Sequence, residues 1–146
     1  MIEIESRELA DIPVLHAYPV GQKDTPLPCV IFYHGFTSSS LVYSYFAVAL
    51  AQAGLRVIMP DAPDHGSRFS SDEARRLNQF WQILLQSMQE FTTLRAAIAE
   101  ENWLLDDRLA VGGASMGAMT ALGITARHPT VKCTASMMGS GYFTSL

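Results

Sequence analysis

Apolar and polar positions alternate with a period of two in residues 3–7 and again in residues 14–18, which predicts two short strands opening the fold as a hairpin. Residues 20–28, rich in Gly, Pro and Asp, form a loop. Residues 29–33 are an unbroken apolar run of β-branched and aromatic side chains, the pattern of a strand covered on both faces, and the run stops at His34-Gly35. Thr37 and the serines at 38, 39 and 40 are placed to cap a helix running through Leu41, Tyr45, Val48 and Leu50 to Gly54. A second buried strand follows at Arg56–Pro60, then a turn over residues 61–67. Ser70 and Glu73 have capping-box spacing before a long amphipathic stretch whose apolar positions are Leu77, Phe80, Trp81, Leu84, Leu85, Met88, Phe91, Leu94 and Ile98. Asp106-Asp107 turns the chain into a strand ending at Gly112. Residues 115–128 carry a helical pattern that Pro129 stops, and residues 133–138 supply a last strand.

Short apolar strands alternating with helices predict βαβ units, hence an α/β fold with a mostly parallel sheet and helices on both faces. Neither an internal repeat nor a linker interrupts the chain, so its 146 residues, 49% apolar, are read as a single domain over 1–146. Fourteen acidic against ten basic residues give a net charge of −4 without clustered Lys or Arg, so neither nucleic acid nor a membrane surface is an expected partner. Acid rather than base lies at the start of the chain, and no apolar run approaches the roughly 18 residues of a spanning helix; the expected location is cytoplasmic. The two cysteines fall inside strand-like runs, as buried reduced thiols do, and no Cys/His group has zinc-site spacing, so no metal is expected.

The chemistry concentrates at Gly113-Ala114-Ser115-Met116-Gly117, between a predicted strand and a predicted helix. This is the pattern of a nucleophile elbow, in which a strained turn lifts a serine hydroxyl above the sheet edge while glycines let the flanking backbone pass. A dinucleotide fingerprint would require Gly where Ala114 stands, and a phosphate-binding loop would require Gly-Lys-Ser/Thr where Gly117-Ala118-Met119 stands. The remaining alternative is a purely structural turn. His34-Gly35-Phe36, after the first buried strand, occupies the loop expected to hold half of an oxyanion hole, with the N–H groups of Phe36 and Met116 as donors; the other reading is a strand-ending turn in which His34 satisfies a neighbouring carbonyl. Residues 61–67 place His65 between two readings, a catalytic base or a histidine held by local hydrogen bonds, the second being the stronger. Phe80, Trp81 and Phe91 read as helix core, with Trp81 also near a pocket. Met116 and Tyr142 are candidates to line an acyl site, and His34 is a further candidate pocket residue.

A strand ending in His34-Gly35, another ending in Asp61 with His65-Gly66 beyond it, and the elbow at Gly113 to Gly117 resemble the compact bacterial esterases of the α/β-hydrolase superfamily. Along its whole length the chain resembles the N-terminal part of the YjfP-type carboxylesterases, which are akin to dienelactone hydrolases and prolyl oligopeptidases. That resemblance implies a three-layer α/β-hydrolase fold and cofactor-free hydrolysis of small-molecule, short-chain carboxylic esters. It implies Ser115 as nucleophile of an acyl-enzyme route, with the backbones of Phe36 and Met116 as oxyanion donors.

Such a fold orders its triad Ser, then Asp or Glu, then His. After Asp107 no acidic residue occurs, and the histidine that follows Ser115 is His128, thirteen positions on along the same predicted helix and about 20 Å away at 1.5 Å per residue. The expectation is that acid and base lie beyond Leu146, that the C-terminal strands of the sheet are missing, and that residues 133–138 present an apolar edge through which copies self-associate. A self-contained triad would instead recruit His34 or His65 with Asp61 or Asp64 in another chain order. Other acyl-transfer hydrolases, such as peptidases and thioesterases, share every motif named, and a non-catalytic binding domain on the same scaffold is a further alternative.

Overall fold

Leu9 pairs with Ile12 across a two-residue turn in which Ala10 (φ 50°) and Asp11 (φ 67°) both adopt the left-handed conformation, the geometry that matches the twist of a tight hairpin. This joins β1 (Ile2–Leu9) to β2 (Ile12–Pro19), longer than the two alternating segments alone indicate. The structure, a computed structural model, describes residues 1–131 and the backbone of Cys133–Met137. The other strands are β3 (Leu27–Tyr33), β4 (Arg56–Pro60), β5 (Leu104–Ala114) and β6 (Cys133–Met137). They form one sheet in the order β1-β2-β4-β3-β5-β6, antiparallel at β1/β2 and β2/β4 and parallel from β4 to β6.

Period-two alternation sorts the strands onto two cores. Cys29, Ile31, Tyr33, Leu109 and Val111 face Phe91, Leu94 and Ile98 of α3 (Phe80–Glu100) and Ala121 and Ile124 of α4 (Met116–Arg127). On the opposite face Phe32, Val57, Met59 and Ala114 pack on Ala47 and Ala51 of α1 (Ser44–Gln52). Helices thus cover both faces, giving three layers.

The helix starts differ from the sequence expectation. α1 begins at Ser44 with Tyr43 at its N-cap and no capping side chain, because the Thr37 to Ser40 stretch is a loop whose amides are held elsewhere. The long amphipathic stretch is two helices: α2 (Glu73–Leu77), capped by the Asp72 carboxylate on the Arg75 N–H at 3.0 Å, and α3 after a break at Asn78-Gln79. Ser70 is not the cap; its hydroxyl accepts from the Asp72 N–H. The break and the helical period leave Leu77, Trp81 and Leu85 outside the buried stripe of Ile83, Leu84, Ser87, Phe91, Leu94 and Ile98, and Trp81 is 61% exposed where core was expected. Asp106 and Asp107 do turn the chain at positive φ, but inside β5, where Leu104 to Leu109 bulges opposite Leu27 to Cys29.

A buried polar cluster anchors the end of the sheet remote from Ser115. Arg56 is fully buried, its guanidinium 4.8 Å over the Trp103 ring, donating to the carbonyl oxygens of Thr25 (2.6 Å) and Gln22 (3.3 Å) and to His16 Nε2 (2.8 Å). His16 Nδ1–H donates in turn to Glu5 at 2.7 Å. Removing the guanidinium strands these acceptors and opens a void. Arg56→Ala is therefore expected to lower stability by about 3 kcal/mol, read as a shift in urea midpoint; a shift under about 0.5 kcal/mol would show that the cluster adds nothing.

Candidate active site

β5 runs without a spacer into α4, and Ser115 is the single residue between them. It takes φ 56°, ψ −117°, a conformation that costs a non-glycine residue on the order of 1–3 kcal/mol, and it is exposed. The turn exists because of its neighbours. A β-carbon on Gly117 would fall on the Tyr33 carbonyl oxygen, and one on Gly113 would fall on the Gly117 backbone. Glycine at both positions lets α4 descend close against the ends of β3 and β5. The first N–H groups of α4 lack intrahelical acceptors, so Met116, itself buried, offers its amide at the head of the helix beside the serine.

The loop after β3 lies against this turn. A side chain at position 35 would begin 3.4 Å from the Ser115 Cβ, so the segment carrying Phe36 borders the serine directly. The Phe36 amide makes no backbone hydrogen bond among the described residues. Its ring packs 5.0 Å edge-on to Phe80 and 5.4 Å from His65. Phe36 and Phe80 pack with Met119 against the buried Ala62, Ile83 and Met116, forming an apolar wall next to the turn.

His34 and His65 are buried in the floor of the site rather than in its mouth, at 2% and 0% exposure. His34 Nδ1–H donates to the Gly35 carbonyl at 2.8 Å, and its Nε2 accepts from the Ala62 N–H at 3.0 Å. His65 Nδ1–H donates to the Pro63 carbonyl at 2.9 Å, and its Nε2 accepts from the Thr37 N–H at 2.8 Å. Backbone partners of fixed sense assign both rings as neutral Nδ1–H tautomers. Burial pushes the His34 imidazole down to about 4 and also lowers that of His65. Asp61 adds a third tie, its carboxylate accepting from the Ser40 N–H (2.9 Å) and from the Ser67 hydroxyl (3.0 Å).

Both nitrogens of each ring are thus engaged by backbone partners. His16 is buried at the other end of the sheet, its Nε2 taken by Arg56. His128 sits at the C-cap of α4 against Phe91, at the far end of the helix that Ser115 begins. Tyr142 lies outside the described residues. Ser115, Phe36 and Met116, named from the sequence, lie together at this turn, whereas the two inter-loop bonds from His34 and His65 have no counterpart in the sequence reading. The single available signal was the pair of His-Gly dipeptides, each just after a buried strand. Cys29 is free and buried, and desolvation pushes its thiol up to about 12, far from nucleophilic use. Among the described residues no group of His, Cys, Asp and Glu is placed to hold a metal ion, and no helix is long and apolar enough to cross a membrane.

Residues 24–143 match the sequence profile of the family described as serine aminopeptidase, S33. The chain is 98% identical over its full length to the esterase YjfP of Escherichia coli (strain K12), covering 59% of that protein. It is 33% identical over its full length to the putative esterase YitV of Bacillus subtilis (strain 168), covering 58%. It thus spans less than two thirds of these curated relatives. Among solved structures it is similar to a putative dienelactone hydrolase from Klebsiella pneumoniae, with a TM-score of 0.77 at 18% identity over 99% of this chain and 65% of that one, a likeness of fold. The fold is that of an α/β hydrolase.

Two outcomes follow from this geometry. Gly117→Ala forces α4 away from Tyr33 and is expected to cost roughly 1–3 kcal/mol or abolish folding, read by urea denaturation; wild-type stability would refute the close approach. The lowered imidazoles of His16, at about 4, His34 and His65 bind protons more weakly folded than unfolded, so their contribution is complete above about 6.5, the ordinary histidine value, and is lost as pH falls toward 4. Stability read by urea denaturation is expected to decline across that window, by on the order of 1 kcal/mol per pH unit for each of His16 and His34, with His65 acting in the same direction, and a flat profile between pH 6.5 and 4 would contradict the neutral buried rings.

Proposed function

The chain belongs to the serine aminopeptidase S33 family, and on that footing we propose that it carries the nucleophile and oxyanion half of a serine hydrolase that cleaves short-chain carboxylic esters. The observation that carries this reading is Ser115 itself, exposed at positive φ between β5 and α4. Strain of that kind persists where the surroundings over-determine it, and it holds a hydroxyl over the sheet edge. Resemblance to two esterases by name supports the ester as substrate class. The apolar wall of Phe36, Phe80 and Met119 suits a short hydrocarbon group better than a charged one.

In this mechanism Ser115 Oγ attacks the ester carbonyl while a general base takes its proton. The Phe36 and Met116 N–H groups receive the charge that develops on the carbonyl oxygen, each worth about 3–4 kcal/mol in the transition state. The alcohol leaves with a proton returned by the base, and water then clears the acyl-enzyme by the same steps. His16, His34 and His65 each have both ring nitrogens engaged, and His128 sits at the far end of α4, which supports seeking that base elsewhere. The proposal therefore assigns the base and its acid partner to the part of the full-length protein that these 146 residues do not span, in keeping with the 59% coverage of the 98% identical relative.

The family description favours one competing reading, a peptidase that attacks an amide through the same serine. Full-length protein assayed on p-nitrophenyl butyrate and on aminoacyl p-nitroanilides separates them; the ester is expected to be the better substrate by kcat/KM, and the reverse order would transfer the assignment to the peptidase. In the full-length protein a fluorophosphonate is expected to label Ser115 and to leave Ser115→Ala unlabelled, with ester turnover falling by roughly four orders of magnitude or more. Labelling or turnover that survives Ser115→Ala would overturn the serine route. The 146-residue chain alone is expected to hydrolyse p-nitrophenyl butyrate at background rate, and turnover lost in its own Ser115→Ala variant would place a working base within these residues.

A further inference from the structure

Hydrogen bonds of His34 and His65 fall on the two peptide planes that flank Phe36. The amide of Phe36 belongs to the peptide plane that it shares with Gly35. His34 Nδ1–H donates to the carbonyl of that plane at 2.8 Å, and the Ser38 N–H reaches the same oxygen at 3.1 Å. In a trans peptide the N–H points opposite to the C=O, so a carbonyl turned toward His34 sends the Phe36 N–H the other way. The next plane, Phe36-Thr37, is held through its N–H by His65 Nε2 at 2.8 Å, while Thr37 takes φ 65°, a conformation an unrestrained threonine avoids. Both planes flanking the Phe36 α-carbon are therefore clamped. The clamp is reciprocal between loops: His34, on the loop after β3, accepts from Ala62, and His65, on the loop after β4, accepts from Thr37.

Resting on the reading of Phe36 as an oxyanion donor, we propose that His34 and His65 are positioning residues that aim the Phe36 N–H, with the His65 Nε2 to Thr37 N–H bond as the element that holds the loop in its productive conformation. Neither ring moves a proton in the reaction. Their work is done before substrate arrives, by removing the conformations in which the amide faces elsewhere, which is how a fixed dipole stabilises a transition state without reorganising.

Two polar variants of His65 in the full-length protein test this. Asn is short: it can keep the local bond to the Pro63 carbonyl but cannot reach Thr37. Gln extends its carbonyl oxygen to about the place of Nε2 and can still accept the Thr37 N–H. With p-nitrophenyl butyrate, His65→Asn is expected to lower kcat at least about tenfold with KM within about twofold, short of the roughly 10²–10³ that outright loss of an oxyanion donor costs. His65→Gln is expected to keep kcat within about threefold of wild type, and urea midpoints of the two variants are expected to agree more closely than their kcat values. Equal kcat for Asn and Gln, whether both high or both low, or a loss confined to KM, would overturn the proposal. A dead Ser115→Ala beside two unimpaired His65 variants removes this inference and leaves the serine route standing; an active Ser115→Ala removes both.

Discussion

A serine at positive φ, wedged between the end of a strand and the start of a helix, is the constraint from which the arrangement of this molecule follows. It requires the helix to begin without a connecting loop, and that requires α4 to pass so close to β3 and β5 that no β-carbon fits at 113 or 117. Once α4 is so seated, its first amides lie beside the serine and its buried face, through Ala121 and Ile124, joins the core under Ile31 and Val111. The local strain at one residue is thus carried by packing along a twelve-residue helix.

The second layer of organisation is polar. Two loops leave neighbouring parallel strands at the same edge of the sheet, and neither is long enough to build a core of its own. They are fastened to each other by backbone amides meeting the Nε2 of His34, the Nε2 of His65 and the carboxylate of Asp61. Buried imidazoles suit this role because one ring can donate on one side and accept on the other, tying two segments with a rigid spacer. The same arrangement occupies both nitrogens of each ring.

The sheet was legible in the sequence because strand patterning is local: the apolar runs at residues 29–33 and 56–60, and the small-residue elbow, hold their meaning whatever surrounds them. What was not legible depends on partners far along the chain. Arg56 opens a strand read as buried, but what makes its burial tolerable is not local: Trp103, forty-seven residues later, supplies the ring on which it stacks. Thr37 and its serine neighbours read as helix caps, yet the Thr37 and Ser40 amides are claimed by His65 and Asp61 before any helix begins. Trp81 reads as core on helical period, and the break at Asn78-Gln79 leaves it outside. For the site, the residue types that strain and glycine demand could be read directly, whereas the bonds from two histidines to the peptide planes flanking Phe36 could not.

The bulge in β5 has a consequence for how this scaffold tolerates change. From Cys29 to Tyr33 the rungs between β3 and β5 run in strict step up to Tyr33 opposite Gly113, so each residue gained or lost there would move Ser115 and the loop carrying Phe36 past one another by about 3.3 Å. Between Leu104 and Leu109 the same strand wanders out of step, with Asp106 and Asp107 in left-handed conformation at its crest. Length variation can accumulate at that crest as slack, leaving the edge that carries Ser115 in alignment, much as an expansion joint takes up movement in a rail without shifting the track on either side.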